Sequence, residues 1–404
     1  MKTVEICIVG GGLVGLTAAI AFSQQGRSVT LLEATNLQPD DPAELDARSI
    51  ALSYSTVQIL QALGLWQDLQ AQTAAITNIH VSTAGHFGVT RLNADDLALA
   101  AMGYVIEYHI LMRYLLGRVR QDSRIDMVSP AELQSLEQTE DHVTLAYQQY
   151  DKKKVLQASL LLVADGAQSS IRQKLGIQAE TVDYQQTAVI ANVKIQQAAT
   201  GCAYERFTAD GPLALLPLPN QRYALVWTNT PERAEHLMQL SEDDFSDQIY
   251  TKFGYRLGYF SQLGSRNSFE LKLTRANRLV ANRAVLIGNA ANTLHPVAGQ
   301  GFNLALRDVG LLFDRVAGLD LQSEMLPPAL LQYEAERSQD QRQTVNMGNG
   351  LVELFSNKLP LLNHLRAAAL AALDLCPVVK NEVSWQGMGY GSGCSSLMRG
   401  RKRE

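Results

Sequence analysis

Val4 to Val9 is a β-branched apolar run that ends on Gly10-Gly11-Gly12-Leu13-Val14-Gly15. Apolar residues then recur at helical spacing from Leu13 to Gln25, and Gly26 stops the helix. Gly10 permits a tight turn, Gly12 lets a pyrophosphate approach the backbone, and Gly15 lets the helix pack closely on the strand. The N–H groups and dipole of the helix start, around Leu13 and Val14, attract the anion. Ser28 to Glu33 reads as a second buried strand, which makes the unit a right-handed βαβ crossover in a parallel sheet. Glu33 then lies where a carboxylate would hold a ribose hydroxyl pair, so the segment predicts dinucleotide binding. Residues Ile6 to Phe22 are apolar enough to mimic a signal peptide or a membrane span. Three glycines interrupt the run, however, Ser23-Gln24-Gln25 offers no cleavage pattern, and the length falls short of the ~20 residues a spanning helix needs.

The chain has 404 residues, enough for two to three domains or one large α/β domain with insertions. With 46% apolar residues it can bury a large core, and a formal net charge of −5 argues against a nucleic-acid partner. Cys7, Cys202, Cys376 and Cys394 lie far apart, as reduced thiols of a cytoplasmic protein would. The seven histidines are equally scattered, so no metal is expected.

Further along, Asp40 to Asp46 reads as an acidic surface loop and Ser49 to Leu63 as a helix. Residues 77–109 alternate like strands, Ile110 to Gln121 is helical, and strands are expected near 125–129, 142–149 and 155–163. Leu160-Leu161-Leu162-Val163 is apolar at every position, as a strand covered on both faces would be. Residues 184–275 change character. Ala188–Ile195, Leu213–Leu218, Tyr223–Trp227 and Phe269–Leu273 read as an inserted antiparallel sheet with one helix near 241–252. Ala284 to Ile287 returns to the parallel pattern, Gly301 to Val316 is a helix, and Pro328 to Leu375 is mostly helical.

Two more segments carry chemistry. Ala164-Asp165-Gly166-Ala167-Gln168-Ser169-Ser170-Ile171-Arg172 follows an apolar strand, and by itself could be an ordinary Asp-Gly turn. Gly288-Asn289-Ala290-Ala291 leads through His295-Pro296 to Gly299-Gln300-Gly301-Phe302-Asn303, where glycines before a helix expose N–H groups to something negative. Together with the first turn, these segments resemble the FAD-dependent aromatic-ring hydroxylases, the group A flavoprotein monooxygenases, from the first strand to the helix after Asn303. Asp46-Ala47-Arg48-Ser49-Ile50-Ala51-Leu52, the run from His295 to Leu304, and Arg307-Asp308 narrow the resemblance to the ubiquinone-biosynthesis hydroxylases. Within that group, Ala188 to Val193 and Glu205-Arg206-Phe207-Thr208 resemble the branch acting on 2-polyprenyl-6-methoxyphenol. Asn289 departs from the aspartate of the wider family; its amide can still bond a ribityl hydroxyl.

The resemblance implies an α/β fold of three parts. A Rossmann-like FAD-binding domain takes residues 1–75, 100–182 and 276–320. An antiparallel-sheet substrate domain takes 76–99 and 183–275, and C-terminal helices with a tail take 321–404. It implies that Gly10, Gly12, Leu13, Val14, Gly15, Glu33, Arg48, Arg113, Asp165, Gly288, Asn289, Gly299, Gln300, Gly301 and Asn303 surround FAD. Arg48 would reach the phosphates or ring edge, and Arg113 the ribose or pyrophosphate. The implied reaction is ring hydroxylation of a polyprenyl phenol with O2, through a flavin C4a-hydroperoxide. No second GxGxxG occurs, so NAD(P)H would visit transiently, and a protein electron donor is the alternative. His295, beside Pro296, either assists phenol deprotonation or fixes the turn.

An insoluble substrate implies contact with the inner membrane by a protein otherwise cytoplasmic. Leucine-rich Leu351 to Cys376 would pack on the core, dock to membrane or partner, or line a prenyl tunnel. Arg399 to Arg403 could add attraction to anionic lipid. A multi-enzyme ubiquinone-biosynthesis assembly and a homo-oligomer complete the partners considered. The competing readings are a hydroxylase of a small soluble aromatic and a catalytically silent FAD-binding scaffold.

Overall fold

Ile6, Cys7 and Ile8 are wholly buried, which places the Lys2–Val9 strand in the middle of a sheet rather than at its edge. It pairs in parallel with Val29–Leu32 on one side and Lys152–Val163 on the other. Ile125–Val128 extends the parallel order beyond Val29–Leu32, and Ala284–Leu286 extends it beyond Lys152–Val163. The helix Leu13–Gln24 packs on this sheet with almost every side chain buried, the doubly covered arrangement that all-apolar parallel strands require. The computed structural model describes residues 2–37, 48–85, 88–196, 199–208, 210–254, 257–293, 299–356, 374–390 and 394–399.

The second sheet has nine strands among the described residues. Its spine is Ala179–Ile195, flanked by Asn267–Ala276 and Arg222–Asn229, then Pro212–Leu218, Cys202–Phe207, Asn78–Thr83 and Val89–Asn93. One face carries Val189, Tyr204, Leu213, Leu225 and Trp227 and is covered by the helices Pro231–Gln239 and Glu242–Phe253. The other face presents Ala203, Leu216, Leu218 and Ala224 to Ile76 and Val105. Those two residues belong to a small antiparallel sheet of Ser49–Ser53, Gly103–Glu107 and Ala74–Ile76, which thus stands between the two large sheets.

Several sequence expectations change. Ser49 to Leu63 is not one helix: Ser49–Ser53 is a strand and the helix runs Tyr54–Ala62, capped by the Ser53 hydroxyl. Pairing with Gly103–Glu107 overrides the local preference of a segment too short for periodicity to settle. The second sheet is not purely antiparallel, because Cys202–Phe207 pairs in parallel with Asn78–Thr83. Its longest strand begins at Ala179, ahead of the expected boundary, and bends at an irregularity between Asp183 and Thr187. Glu132–Gln138, Cys202–Phe207 and Pro231–Gln239 are further elements the periodicity did not reveal.

The long helix Leu326–Ser356 lies on Gln300–Val316. Arg337 and Asp308 hold the pair together, with Arg337 Nε and Nη2 donating to Asp308 Oδ1 at 2.9 and 2.6 Å. Asp340 joins them by accepting from Arg337 and, at 3.0 Å, from Arg307, while Gln341 donates to Asp308 at 3.1 Å. The expected acidic loop from Asp40 to Asp46 and most of Leu351 to Cys376 lie outside the described residues, as does the tail beyond Arg399. Among the described residues, no helix is long and apolar enough to cross a membrane.

Candidate cofactor site and family

Three loops separated by more than a hundred residues each meet at the carboxyl ends of the parallel strands. Gly10 has φ +110°, and a Cβ there would stand 2.3 Å from the Ala164 carbonyl oxygen. A Cβ on Gly15 would lie 1.9 Å from the carbonyl oxygen of Gly10. These two glycines fit strand, turn and helix to one another. Gly12 is different: nothing lies within 4 Å of a Cβ built on it, so its missing side chain leaves open space before the helix. Gly288, with φ +61°, packs against Val14, and Gly299, with φ +60°, against Ala51. The segments expected to surround one ligand are therefore neighbours.

Two helix starts face this junction without a side-chain cap. Leu13–Gln24 begins after Gly12 and Gln300–Val316 after Gly299, and neither has an acidic residue in its first turn. By contrast, the hydroxyls of Ser53, Ser169, Thr230 and Ser241 cap four other helices. Uncapped N–H groups and unopposed dipoles suit an anionic ligand. Glu33 closes the Val29–Leu32 strand beside them. Its Oε2 accepts from the Gly11 N–H at 2.5 Å, and Oε1 accepts from the Thr35 N–H and hydroxyl, both at 2.7 Å.

Asp165 follows the Lys152–Val163 strand. Its Oδ2 accepts from the Ile171 N–H at 3.3 Å, whereas its buried Oδ1 has no hydrogen-bond partner among the described residues. Burial raises the pKa of this carboxyl against the opposing pull of the Ser169 side chain, nearby N–H groups and Arg172. A buried acceptor without a partner, at the mouth of a glycine turn, marks the place of a donor that the polypeptide does not supply. The residues present thus fit a dinucleotide with hydroxyls and a pyrophosphate.

Asn303 has a different duty from direct contact. Its Nδ2 donates to the carbonyls of Ala51 and Gly299, each at 2.8 Å, and its Oδ1 accepts from the Ser53 N–H and the Thr56 hydroxyl. The amide's usual hydrogen bonds all go to protein, so Asn303 fixes the glycine loop on the small sheet. Gln300 donates to the Gly387 carbonyl at 3.1 Å, and nothing lies near a Cβ on Gly301. Asn289 is exposed. Arg48 is also exposed, with its guanidinium 4.2 Å from the centre of the Tyr108 ring, and Arg113 is exposed on the Tyr108–Gln121 helix. His295 and Pro296 lie outside the described residues.

The sequence reading included Arg172 in the Asp165 segment but gave it no role. Buried in the short Ser170–Lys174 helix, it donates to the Ala290 carbonyl at 2.8 Å and the Ala167 carbonyl at 3.2 Å. It thereby ties the Asp165 loop to the Gly288 loop. The signal lay in its position, six residues after Gly166, but arginine in that place reads equally as solvated. Arg172→Met is expected to weaken FAD binding about tenfold, roughly 1.4 kcal/mol, measured by flavin fluorescence titration of the apoprotein.

Comparison with known proteins decides which ligand. The profile of the family described as FAD binding domain matches residues 3–347. The chain belongs to that family. This flavoprotein is 34% identical over 409 residues to ubiquinone hydroxylase UbiL of Rhodospirillum rubrum, covering 99% of this chain and 93% of that one. It is 30% identical to the 3-demethoxyubiquinol 3-hydroxylase of Escherichia coli, covering 95% of this chain and 98% of that one. Among solved structures, p-nitrophenol 4-monooxygenase PnpA of Pseudomonas putida matches the fold over 100% of both chains, with a TM-score of 0.79 at 17% identity. An HpxO variant of Klebsiella pneumoniae complexed with FAD gives 0.76 at 18%, covering 96% of this chain and 99% of that one. The protein is accordingly an FAD-dependent monooxygenase, an oxidoreductase that uses O2.

Proposed function

We propose that this flavoprotein hydroxylates the ring of a polyprenyl phenol of the 2-polyprenyl-6-methoxyphenol type in ubiquinone biosynthesis. The observation that carries the reading is the near full-length similarity to ubiquinone hydroxylases, on a chain whose glycine turns and orphaned Asp165 oxygen fit FAD. The FAD-binding part comprises residues 1–75, 100–182 and 276–320, and the substrate part 76–99 and 183–275.

Bound FAD would supply what no side chain can, the activation of O2 for transfer to an electron-rich ring, with NAD(P)H as electron donor. The chain's own residues do the rest. The helix starts after Gly12 and Gly299 hold negative charge, Glu33 takes a ribose, and Asp165 accepts from the cofactor. The Asn303 clamp and the Arg172 tie keep the loops in one arrangement before the ligand arrives. His295, beside Pro296, belongs to the same loop by sequence.

A prenylated substrate resides in lipid, so the protein works as a cytoplasmic enzyme in peripheral contact with the inner membrane. Leu375, Val378, Val379 and Val383 support this, being exposed apolar side chains at and along the Pro377–Gly387 helix. A ubiquinone-biosynthesis assembly and self-association are further partners consistent with such a surface. The test is deletion of the gene followed by mass spectrometry of quinone precursors. A prenylated methoxyphenol lacking one ring oxygen is expected to accumulate; unchanged ubiquinone overturns the proposal.

A further inference from the structure

The second sheet carries a carboxylate that the fold itself does not use. On the Cys202–Phe207 strand, Tyr204 joins the core beneath the two helices, and Arg206 donates to the Lys252 carbonyl on that same side. Ala203 points the other way, toward Val105 and Ile76. Alternation along a strand therefore puts Glu205 on the Ala203 face, turned toward the small sheet that bears Arg48 and receives the Asn303 clamp.

Its cross-strand neighbours on that face are apolar. Glu205 stands opposite Val81 and Ala214, Ala214 opposite Val226, and Val226 opposite Ile190. Val81, Glu205, Ala214 and Val226 are all part-exposed, so the row can be reached from outside the sheet. No hydrogen bond or ion pair engages the Glu205 carboxylate among the described residues. Burial alone lifts this carboxyl to about 7.

The charged groups on neighbouring strands are already committed or distant. Arg222 and its cross-strand neighbour Lys194 lie on the same face, but four residues along their strands from Val226 and Ile190, roughly 13 Å at strand spacing. Arg222 is bound at both Nη atoms by Glu107, at 2.9 and 2.8 Å. The strands Asn78–Thr83 and Val89–Asn93 contribute Ile79, Val81, Thr83, Thr90 and Leu92 to this side, and Pro212–Leu218 contributes no ionisable group. An ionisable group kept without a protein partner in an apolar row carries a desolvation cost that a hydrogen-bond donor on a ligand would offset.

We propose that Glu205 is a catalytic residue that receives the ring hydroxyl of the phenol, accepting its hydrogen bond and then its proton. The O–H bond of the ring breaks, an O–H bond to the carboxylate forms, and the ring oxygen keeps the electron pair. The electron-rich phenolate is the form that an electrophilic oxygen attacks. When the hydroxylated ring regains aromaticity, the carbon that gained oxygen loses its hydrogen as a proton to water, the C–H electron pair re-enters the ring, and the carboxyl returns its own proton to the ring oxygen. The proposal rests on the hydroxylase reading above and adds the group that activates its substrate.

The test uses FAD-loaded enzyme and 2-geranyl-6-methoxyphenol as probe, with the wild type, Glu205→Gln and Glu205→Asp. Binding is followed by the near-ultraviolet phenolate band across neutral pH, and product by mass spectrometry. Wild type is expected to develop the phenolate band on binding, with a transition near pH 7. Glu205→Gln is expected to bind the probe and keep its FAD, yet lose the band and the transition and at least tenfold in kcat. Glu205→Asp should recover part of both. A Glu205→Gln enzyme with unchanged band, pH profile and kcat overturns the assignment of Glu205 while leaving the hydroxylase reading intact. A wild-type enzyme that neither perturbs nor hydroxylates the probe overturns both.

Discussion

Gly10→Ala is expected to yield a protein that purifies colourless and unfolds well below the wild type. The substitution meets two penalties at once. At φ +110° an L side chain is strained, and its Cβ would press to 2.3 Å from the Ala164 carbonyl oxygen, which is backbone and cannot swing aside. Left-handed strain costs about 1–2 kcal/mol and overpacking about 1–3, so a combined loss of roughly 2–5 kcal/mol is expected. Gly12→Val supplies the contrast. Its φ of −74° is ordinary and its surroundings are open, so the apoprotein should melt within a few degrees of wild type. The new side chain occupies the space in front of the helix, however, and FAD affinity should fall at least a hundredfold. Denaturant unfolding of the apoproteins and flavin titration separate the two effects. Equal thermal stability of Gly10→Ala and wild type would refute the steric account.

The second large effect is expected at Arg337→Leu. Arg337 is almost completely buried and serves Asp308 and Asp340, which are buried with it. Its removal leaves Asp308 without an ion partner and Asp340 with Arg307 alone in a low-dielectric interior, a change that costs about 3–5 kcal/mol. Desolvation already raises the Asp308 pKa while Arg337, Gly288 and Gln341 oppose it, so loss of the arginine should raise it further. Asp308 Oδ2 also accepts from the Gly288 N–H at 3.1 Å, which couples the ion cluster to the cofactor loop. The expected result is a lower urea midpoint with weakened FAD retention. A midpoint unchanged within error would show that the cluster is not a stability element.

What could be read from residues alone follows a physical division. The opening turn was legible because its chemistry is local: only glycine tolerates the Gly10 conformation and the Gly15 contact, and the strand and helix on either side announce themselves by period. Asp165 and the Gly288 loop were legible as turns, though their convergence on Gly10 and Val14 is a product of sheet order. Ser49–Ser53 was misread because five residues carry too little periodicity, and its state is set by a partner strand some fifty residues away. Arg172, Arg337 and the Glu107–Arg222 pair look like solvated charges in sequence; burial alone gives them their roles. Glu205 was visible only as part of a similar tetrapeptide, because the Cys202–Phe207 strand that aims it was not identified.

The order of strands in the first sheet has a consequence for biosynthesis. Lys2–Val9 finds one neighbour at once in Val29–Leu32, but its other edge waits for Lys152–Val163. At ordinary ribosomal speeds that partner emerges on the order of ten seconds later, and the loop beginning at Gly288 later still. Throughout that interval the nascent chain leaves one edge of this strand unpaired, including its apolar half from Ile6 to Val9. The three loops of the flavin site can therefore come together only after some three-quarters of the chain has been made, long after the first glycine turn has emerged.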